Sequence, residues 1–398
     1  MTVDAEPACA EPGDPGIGDI ARRRSGLIAE RRSFESIDPA TWDALATRTP
    51  WATSFASWAY HRAWWDAYGG TAHDHTIVVL DPDGPDVPTA IVPLMHRHQV
   101  EPNDGRTRST LRHGHDLELT PVEANAKAIF FGATYHADYA TVLAAPDDLE
   151  AVATAAVASL AAPGDDPHHP ARWDVVDLRR LRCGDPAADA LAEAFAALEA
   201  EHGWTVAVER EDVCPVVTLP EGIDLDGYFA MLGKKDRHEI RRKVRRAEAA
   251  GEVALMDSQD PLSDLGAFID LHQKRWGDLG LFPPTPGGEA SRSFVSRLFE
   301  LFGPGGPIRL TFLTVAGRRV AAGIHFETDD GYLYYNAGID PDARDLSPGI
   351  VMCERYVRRA IEAGKRRLDF LRGDEPYKYQ WGAVDEPIQR ILVRRADQ

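Results

Sequence analysis

Between residues 368 and 382 the chain reads Leu-Asp-Phe-Leu-Arg-Gly-Asp-Glu-Pro-Tyr-Lys-Tyr-Gln-Trp-Gly. Leu368 and Phe370 have the alternation of a short buried strand, and the stretch around Gly373 releases polar groups in close succession: Arg372, Asp374, Glu375, Tyr377 and Lys378. Two carboxylates, a phenol and an ammonium suit proton transfer and the stabilisation of developing charge. A loop at a strand end holds such groups rigidly while letting them reach solvent. The same residues also suit a polar turn that closes a hairpin. No Ser-His-Asp spacing and no nucleophile elbow is present, so chemistry here would proceed by direct attack, without a covalent enzyme intermediate.

The elements before this stretch must position it. Residues 308–326 alternate as a hairpin around Ala-Gly-Arg-Arg, and residues 331–339 follow an Asp-Asp-Gly turn as a third strand. Residues 340–349 form a loop. A helix then opens at Ser347-Pro348-Gly349, with Ser347 as N-cap and Pro348 at the first helical position, and runs to Gly364. A strand, a glycine-containing turn and a helix N-terminus together make an anion cradle, because free backbone N–H groups and the positive end of the helix dipole converge.

Several short motifs occur in one order over about residues 271–394: Leu271-His272-Gln273-Lys274-Arg275-Trp276, Gly317 with Val320-Ala321-Ala322-Gly323, Tyr334-Tyr335-Asn336-Ala337-Gly338, Leu346-Ser347-Pro348-Gly349, and Asp369-Phe370-Leu371-Arg372-Gly373 with Tyr377-Lys378. On these residues the segment resembles the GNAT N-acyltransferase superfamily, within it the FemAB-like branch that includes the CelD-type acetyltransferases of cellulose biosynthesis. The resemblance implies an α/β fold of tandem GNAT-like lobes, each a mixed, mostly antiparallel sheet flanked by helices. It also implies acyl transfer to the amine of a sugar, amino acid or peptide-like acceptor.

The implied roles follow residue by residue. Lys378 would stabilise the oxyanion or the leaving group, because an ammonium is a strong local charge in a partly dehydrated cleft. Tyr377 would protonate a leaving thiolate, and Asp374 or Glu375 would take the amine's proton or hold its charge. Asn336, Gly338, Arg344, Ser347 and Gly349 would bind the donor. His272, Arg275, Trp276 and Arg372 would line the acceptor cleft. Arg344 and Gly349 match the ends of the family's pyrophosphate loop, whereas Ser347 stands where its first glycine belongs and Pro348 removes a donor. Acyl-CoA, as a co-substrate with no cofactor permanently bound, and aminoacyl-tRNA both remain open as donors. A catalytically silent binding protein on the same fold remains open too.

From residue 234 to 246 the chain packs eight Lys or Arg against two acids. On a helix, Ile240, Val244 and Ala247 form an apolar stripe while Arg237, Arg241 and Arg245 line another face. That face suits solvent or the phosphates of a nucleotide-linked acceptor, a CoA tail or a tRNA end. A net charge of −19 argues against general nucleic-acid binding.

The length of 398 residues with 44% hydrophobic side chains fits two cores. We expect a disordered acidic tail over residues 1–33, a degenerate first lobe over 34–205 and the transferase lobe over 206–398. In the first lobe, residues 57–68 read as a helix carrying Trp58, Trp64, Trp65 and Tyr68 as core. Residues 76–80, 90–95, 111–119, 128–131 and 139–143 read as strands. Residues 149–160 and 187–198 read as helices around a strand at 173–178. The loop 279–288 reads as a gate over the cleft or a rigid connector. No apolar run is long enough to span a membrane. Cys9, Cys183, Cys214 and Cys353 lack metal-ligand spacing, no metal is expected, and the cysteines fit reduced thiols in the cytoplasm.

Overall fold

The computed structural model describes residues 26–97, 119–123, 125–162 and 172–395. Residues 1–25 of the expected tail and most of the expected strand at 111–119 lie outside these residues; the end of that tail, expected to be disordered, instead forms the strand Ile28–Arg31, because its backbone pairs antiparallel with Ile77–Leu80. The fold is mixed α/β, with one sheet running through both lobes.

In the second lobe, strands Ile308–Val315 and Arg318–Glu327 pair antiparallel, and Arg318–Glu327 pairs with Gly331–Ile339. The hairpin turns on Ala316 and Gly317, both at positive φ (50° and 78°), as a two-residue loop between twisted strands requires. Strand Val253–Asp257 extends the outer edge, and Arg367–Asp369 joins Gly331–Ile339 in parallel. Helix Pro348–Glu362 covers one face, burying Val351, Met352, Tyr356, Val357 and Ala360. Helices Pro261–Trp276 and Pro286–Phe302 cover the other.

The expected border between Thr205 and Val206 falls at the start of the long strand Trp204–Thr218. This strand pairs along its length with the last strand, Val384–Arg395. That last strand, placed by sequence in the second lobe, also pairs with Val175–Arg182 of the first. Beyond it come Ala128–Phe131, Leu94–Arg97 and His73–Asp74, which complete an eleven-stranded sheet. A second sheet of four strands (Ile28–Arg31, Ile77–Leu80, Pro88–Val92, Leu143–Ala144) belongs to the first lobe. The expected strand at 90–95 thus splits at Pro93, where the chain changes sheet, and the one expected at 139–143 shortens to Leu143–Ala144.

The junction of the lobes is fixed by charge and by aromatic packing. Arg390, 0% exposed on the last strand, donates to both oxygens of Asp177 (2.6 and 3.0 Å), to Glu209 (3.2 Å) and to the Thr120 carbonyl (2.8 Å). Burial alone would raise the Asp177 pKa, but the guanidinium groups of Arg179 and Arg390 outweigh it and hold this carboxyl below its ordinary value. The aromatic helix Trp58–Tyr68 packs on Pro286–Phe302, with Tyr60 edge-on to Phe294 at 5.4 Å. Cys214 and Cys353 are buried free thiols; Cys183, expected reduced, is disulfide-bonded, because spacing along a sequence does not report which sulfurs meet in space.

Burial lowers the pKa of His61, His75, His136 and His325 to about 3 and that of His272 to about 4. These imidazoles are neutral in the folded chain, whereas the unfolded chain protonates them below about pH 6.5. Their stabilisation is complete above that pH and is lost as pH falls toward the folded values, by about 1.4 kcal/mol per pH unit for each group. We expect a melting temperature that is level above pH 7 and falls steadily between pH 6.5 and 4.5 in scanning calorimetry. A level profile through that range would contradict the burial of these rings.

Candidate active site

Strands Gly331–Ile339 and Arg367–Asp369 pair only at Gly331, Tyr332 and Leu333. After Asp369 the chain turns to Trp204–Thr218 instead: the Phe370 and Gly373 amides donate to the Pro215 and Val213 carbonyls. Beyond Leu333, therefore, the two parallel strands splay apart, and among the described residues no strand pairs with that edge of Gly331–Ile339. The Asp340 amide donates to Val320, on the opposite side. By the period-two alternation of a strand, the amides of Ile339 and Ala337 face the opening.

The opening leads to a cleft of about 410 Å³. One wall is the start of helix Pro348–Glu362. Ser347, just before it, has left-handed backbone (φ 51°), and its carbonyl accepts from the Ile350 and Val351 amides. Pro348 has no amide proton, so the Gly349 N–H is left at the positive end of the dipole. The expected side-chain cap by Ser347 does not form. Its hydroxyl instead accepts from Arg246 of the basic helix Lys234–Ala250 at 2.7 Å. Lys243 of that helix, Arg275 and Arg344 bring three cations to the lining. Helix start and cations together suit a phosphorylated ligand.

Apolar or aromatic side chains make up much of the remaining lining, among them Ile339, Ile350, Cys353, Tyr334 and Tyr377. Burial, and then the neighbouring Cys353 and Glu375, push the Tyr377 pKa well above its ordinary value. Tyr377 is consequently a proton donor at neutral pH. Burial also pushes the Cys353 thiol up to about 12, so it is not a thiolate nucleophile. Asp340 is the one carboxylate among the residues that line the cleft. Its hydrogen bond from Arg318 holds it below the usual carboxylate range, which makes it a poor base.

Of the residues expected from sequence, Tyr377, Arg275, Arg344, Ser347 and Gly349 meet in this cleft. Others lie elsewhere. Lys378 does not line it; the ammonium is buried against the carbonyls of the turn 371–373. Glu375 is paired with that ammonium at 2.9 Å, and Asp374 is fully buried, so neither is placed to meet an amine.

Gly338 is a close-approach residue, since a Cβ there would meet the His272 amide nitrogen of helix Pro261–Trp276 at 2.4 Å. Asn336 interacts with the buried His272, whose ring packs edge-on to Phe282 at 5.0 Å. Arg372 crosses to the first lobe and pairs with Asp138 at 3.2 Å. Trp276 is partly exposed under the Arg275 guanidinium, 4.7 Å away.

On the basic helix, Arg237 donates to the Phe229 and Ala230 carbonyls, Arg241 pairs with Asp226 at 2.6 Å, and Arg245 is exposed. The cleft takes Lys243 instead, and Arg246 reaches Ser347 at its edge. These lie on the other flank of the Ile240, Val244, Ala247 stripe, and the stripe alone does not say which flank faces a ligand. Tyr334 and Cys353 were also missed. Their sequence signal is that of core, and Tyr334 does donate to the Met352 sulfur at 3.7 Å. Among the described residues no group of three or more His, Cys, Asp or Glu is arranged to hold a metal ion, and no helix is long and apolar enough to cross a membrane.

Residues 234–379 match the family model described as an acetyltransferase (GNAT) domain. The matched segment runs from the basic helix to the Tyr377 turn and contains every residue of the cleft lining. No curated protein matches the chain. Among solved structures, that of FemX superposes with a TM-score of 0.53 at 10% identity, over 89% of this chain and 96% of that one. A conserved protein of unknown function from Bacteroides thetaiotaomicron VPI-5482 superposes with a TM-score of 0.50 at 13% identity, over 90% and 98%. At such identities the likeness is one of fold, and it extends over both lobes rather than the matched segment alone.

Proposed function

We propose that this chain is an N-acyltransferase that moves an acyl group from acyl-CoA to the amine of a sugar, amino acid or peptide-like acceptor. The observation that carries the proposal is the coincidence of the GNAT segment with a strand splay that ends on a helix start, the free Gly349 amide and three cations. Phosphates of the donor belong at the helix start, near Lys243 and Arg344. The thioester belongs in the splay, where the Ala337 amide is a donor for the carbonyl oxygen as negative charge grows there. The amine nitrogen attacks the carbonyl carbon, the C–N bond forms and the C–S bond breaks. The departing sulfur takes the Tyr377 proton, and the proton shed by the amine returns through solvent to Tyr377, so none is gained or lost. With no competent base in the lining, the amine must arrive neutral. Transfer in the cytoplasm is part of the same proposal.

The exposed cations of the basic helix away from the cleft, Lys234, Lys235 and Arg245, favour a second reading with aminoacyl-tRNA as donor. Thermal denaturation separates the readings. Acetyl-CoA at a hundred times its dissociation constant should stabilise the chain by about 2.7 kcal/mol. The double variant Arg344→Glu, Lys243→Glu should bind it at least about tenfold more weakly, roughly 1.4 kcal/mol. No shift with any CoA ester but a shift with charged tRNA favours the second reading. No shift with either leaves a fold that binds without transferring.

A further inference from the structure

Lys378 combines full burial with complete use of its donors. The residue is 2% exposed, and its Nζ donates to the carbonyls of Leu371 (3.0 Å), Arg372 (3.0 Å) and Gly373 (2.8 Å). An ammonium has three protons, and three carbonyls take them all. Glu375 Oε2, at 2.9 Å, balances the charge. No N–H remains to reach a reacting oxygen, and the side chain stands behind the cleft wall rather than in it.

The carbonyls it gathers belong to a turn that would not hold its shape alone. Leu371 and Gly373 both have positive φ (56° and 109°), and three successive carbonyl oxygens point at one spot, where their partial charges repel. A cation at the focus turns that repulsion into attraction. The same turn carries the chain from the splayed strand Arg367–Asp369 into the short helix Pro376–Tyr379, on which Lys378 directly follows Tyr377. One side chain therefore ties the helix that presents the phenol to the strand end that forms the splay. Phe370, just before the turn, packs edge-on to the Tyr377 ring at 5.9 Å and 79°.

We propose that Lys378 is the positioning residue of Tyr377, acting on transfer only through the placement of that phenol and not through its own charge at the reacting carbonyl. This rests on the reading of the cleft as an acyl-transfer site with Tyr377 as proton donor.

A double-mutant cycle on kcat tests it, with donor affinity measured in parallel by titration calorimetry. Lys378→Met keeps the length of the side chain and removes its donors. Its kcat should fall on the order of tenfold or more while the dissociation constant for acetyl-CoA stays within about threefold, because the cations at the helix start are untouched. The double variant Lys378→Met, Tyr377→Phe should be no slower than Tyr377→Phe alone. Losses that multiply would assign Lys378 a direct electrostatic role and overturn the proposal.

Should Lys378→Met fail to fold, Lys378→Arg decides. Its planar fork keeps the charge but does not converge on three carbonyls. Positioning predicts a loss that vanishes in the Tyr377→Phe background, and a direct charge effect predicts near-normal kcat. A wild-type chain that transfers acetyl groups with no dependence on Tyr377 would instead overturn the underlying reading.

Discussion

Tyr377→Phe should lower kcat for acetyl transfer about a hundredfold while leaving acetyl-CoA affinity within a factor of two or three, the loss expected for removal of a positioned acid. The ring is enclosed by Phe370 and the start of helix Pro348–Glu362, so the phenolate is disfavoured and the phenol keeps its proton at neutral pH. A thiolate forming beside it accepts the phenol's hydrogen bond in the low-dielectric cleft and takes the proton as the proton shed by the amine replaces it on the phenol. In the proposed mode donor binding rests instead on the helix start and on Lys243, Arg275 and Arg344, none of which the substitution alters. Steady-state kinetics with calorimetric titration of CoA checks both halves. A parallel rise in KM and fall in kcat would show that the phenol holds substrate rather than moving a proton.

Arg390→Ala should cost about 3–5 kcal/mol of stability, the usual effect of removing one partner from a buried charge network. Chains of this kind are stable by about 5–15 kcal/mol in all, so the loss is a large share of the total. Asp177 keeps Arg179 and Glu209 keeps the Thr120 amide and hydroxyl as partners, but Glu209 loses its counter-charge and the Thr120 carbonyl its donor at a point where the last strand inserts between the two lobes. Urea unfolding followed by fluorescence and by circular dichroism should show the loss, with the first-lobe tryptophans and the second-lobe helices reporting one transition. A substitution costing under about 1 kcal/mol would show that the network is dispensable to the shared sheet.

What the sequence disclosed was local. The hairpin at Ala316-Gly317, the helix opened by Pro348 and the aromatic helix Trp58–Tyr68 were legible because period and turn chemistry are written in neighbouring residues. The placement of the last strand was not, because its partner Val175–Arg182 lies some two hundred positions earlier and nothing in its own alternation names that partner.

The candidate site divides in the same way. Tyr377 stood out by residue type, Gly349 by the turn and helix start and Arg344 by the family resemblance, and the fold brings all three to the cleft lining. Lys378 has the right type, yet its direction is set by carbonyls that converge only after Leu371 and Gly373 take left-handed backbone. Gly338 sits in a motif that suggested a ligand, and its glycine is required by the backbone of a neighbouring helix. Lys243 was hidden because a helix stripe has two flanks and only packing selects one.

The central claim is that the splay beyond Leu333 grips a thioester while the helix at Pro348 holds its phosphates. A crystal structure with acetyl-CoA, or with CoA and an unreactive acyl analogue, tests it most directly. The account predicts the diphosphate at the Gly349 amide, the acyl carbonyl against the Ala337 edge and the sulfur within hydrogen-bond reach of the Tyr377 hydroxyl. A ligand bound elsewhere on the chain, or seated in the cleft with its sulfur turned away from Tyr377, would contradict it.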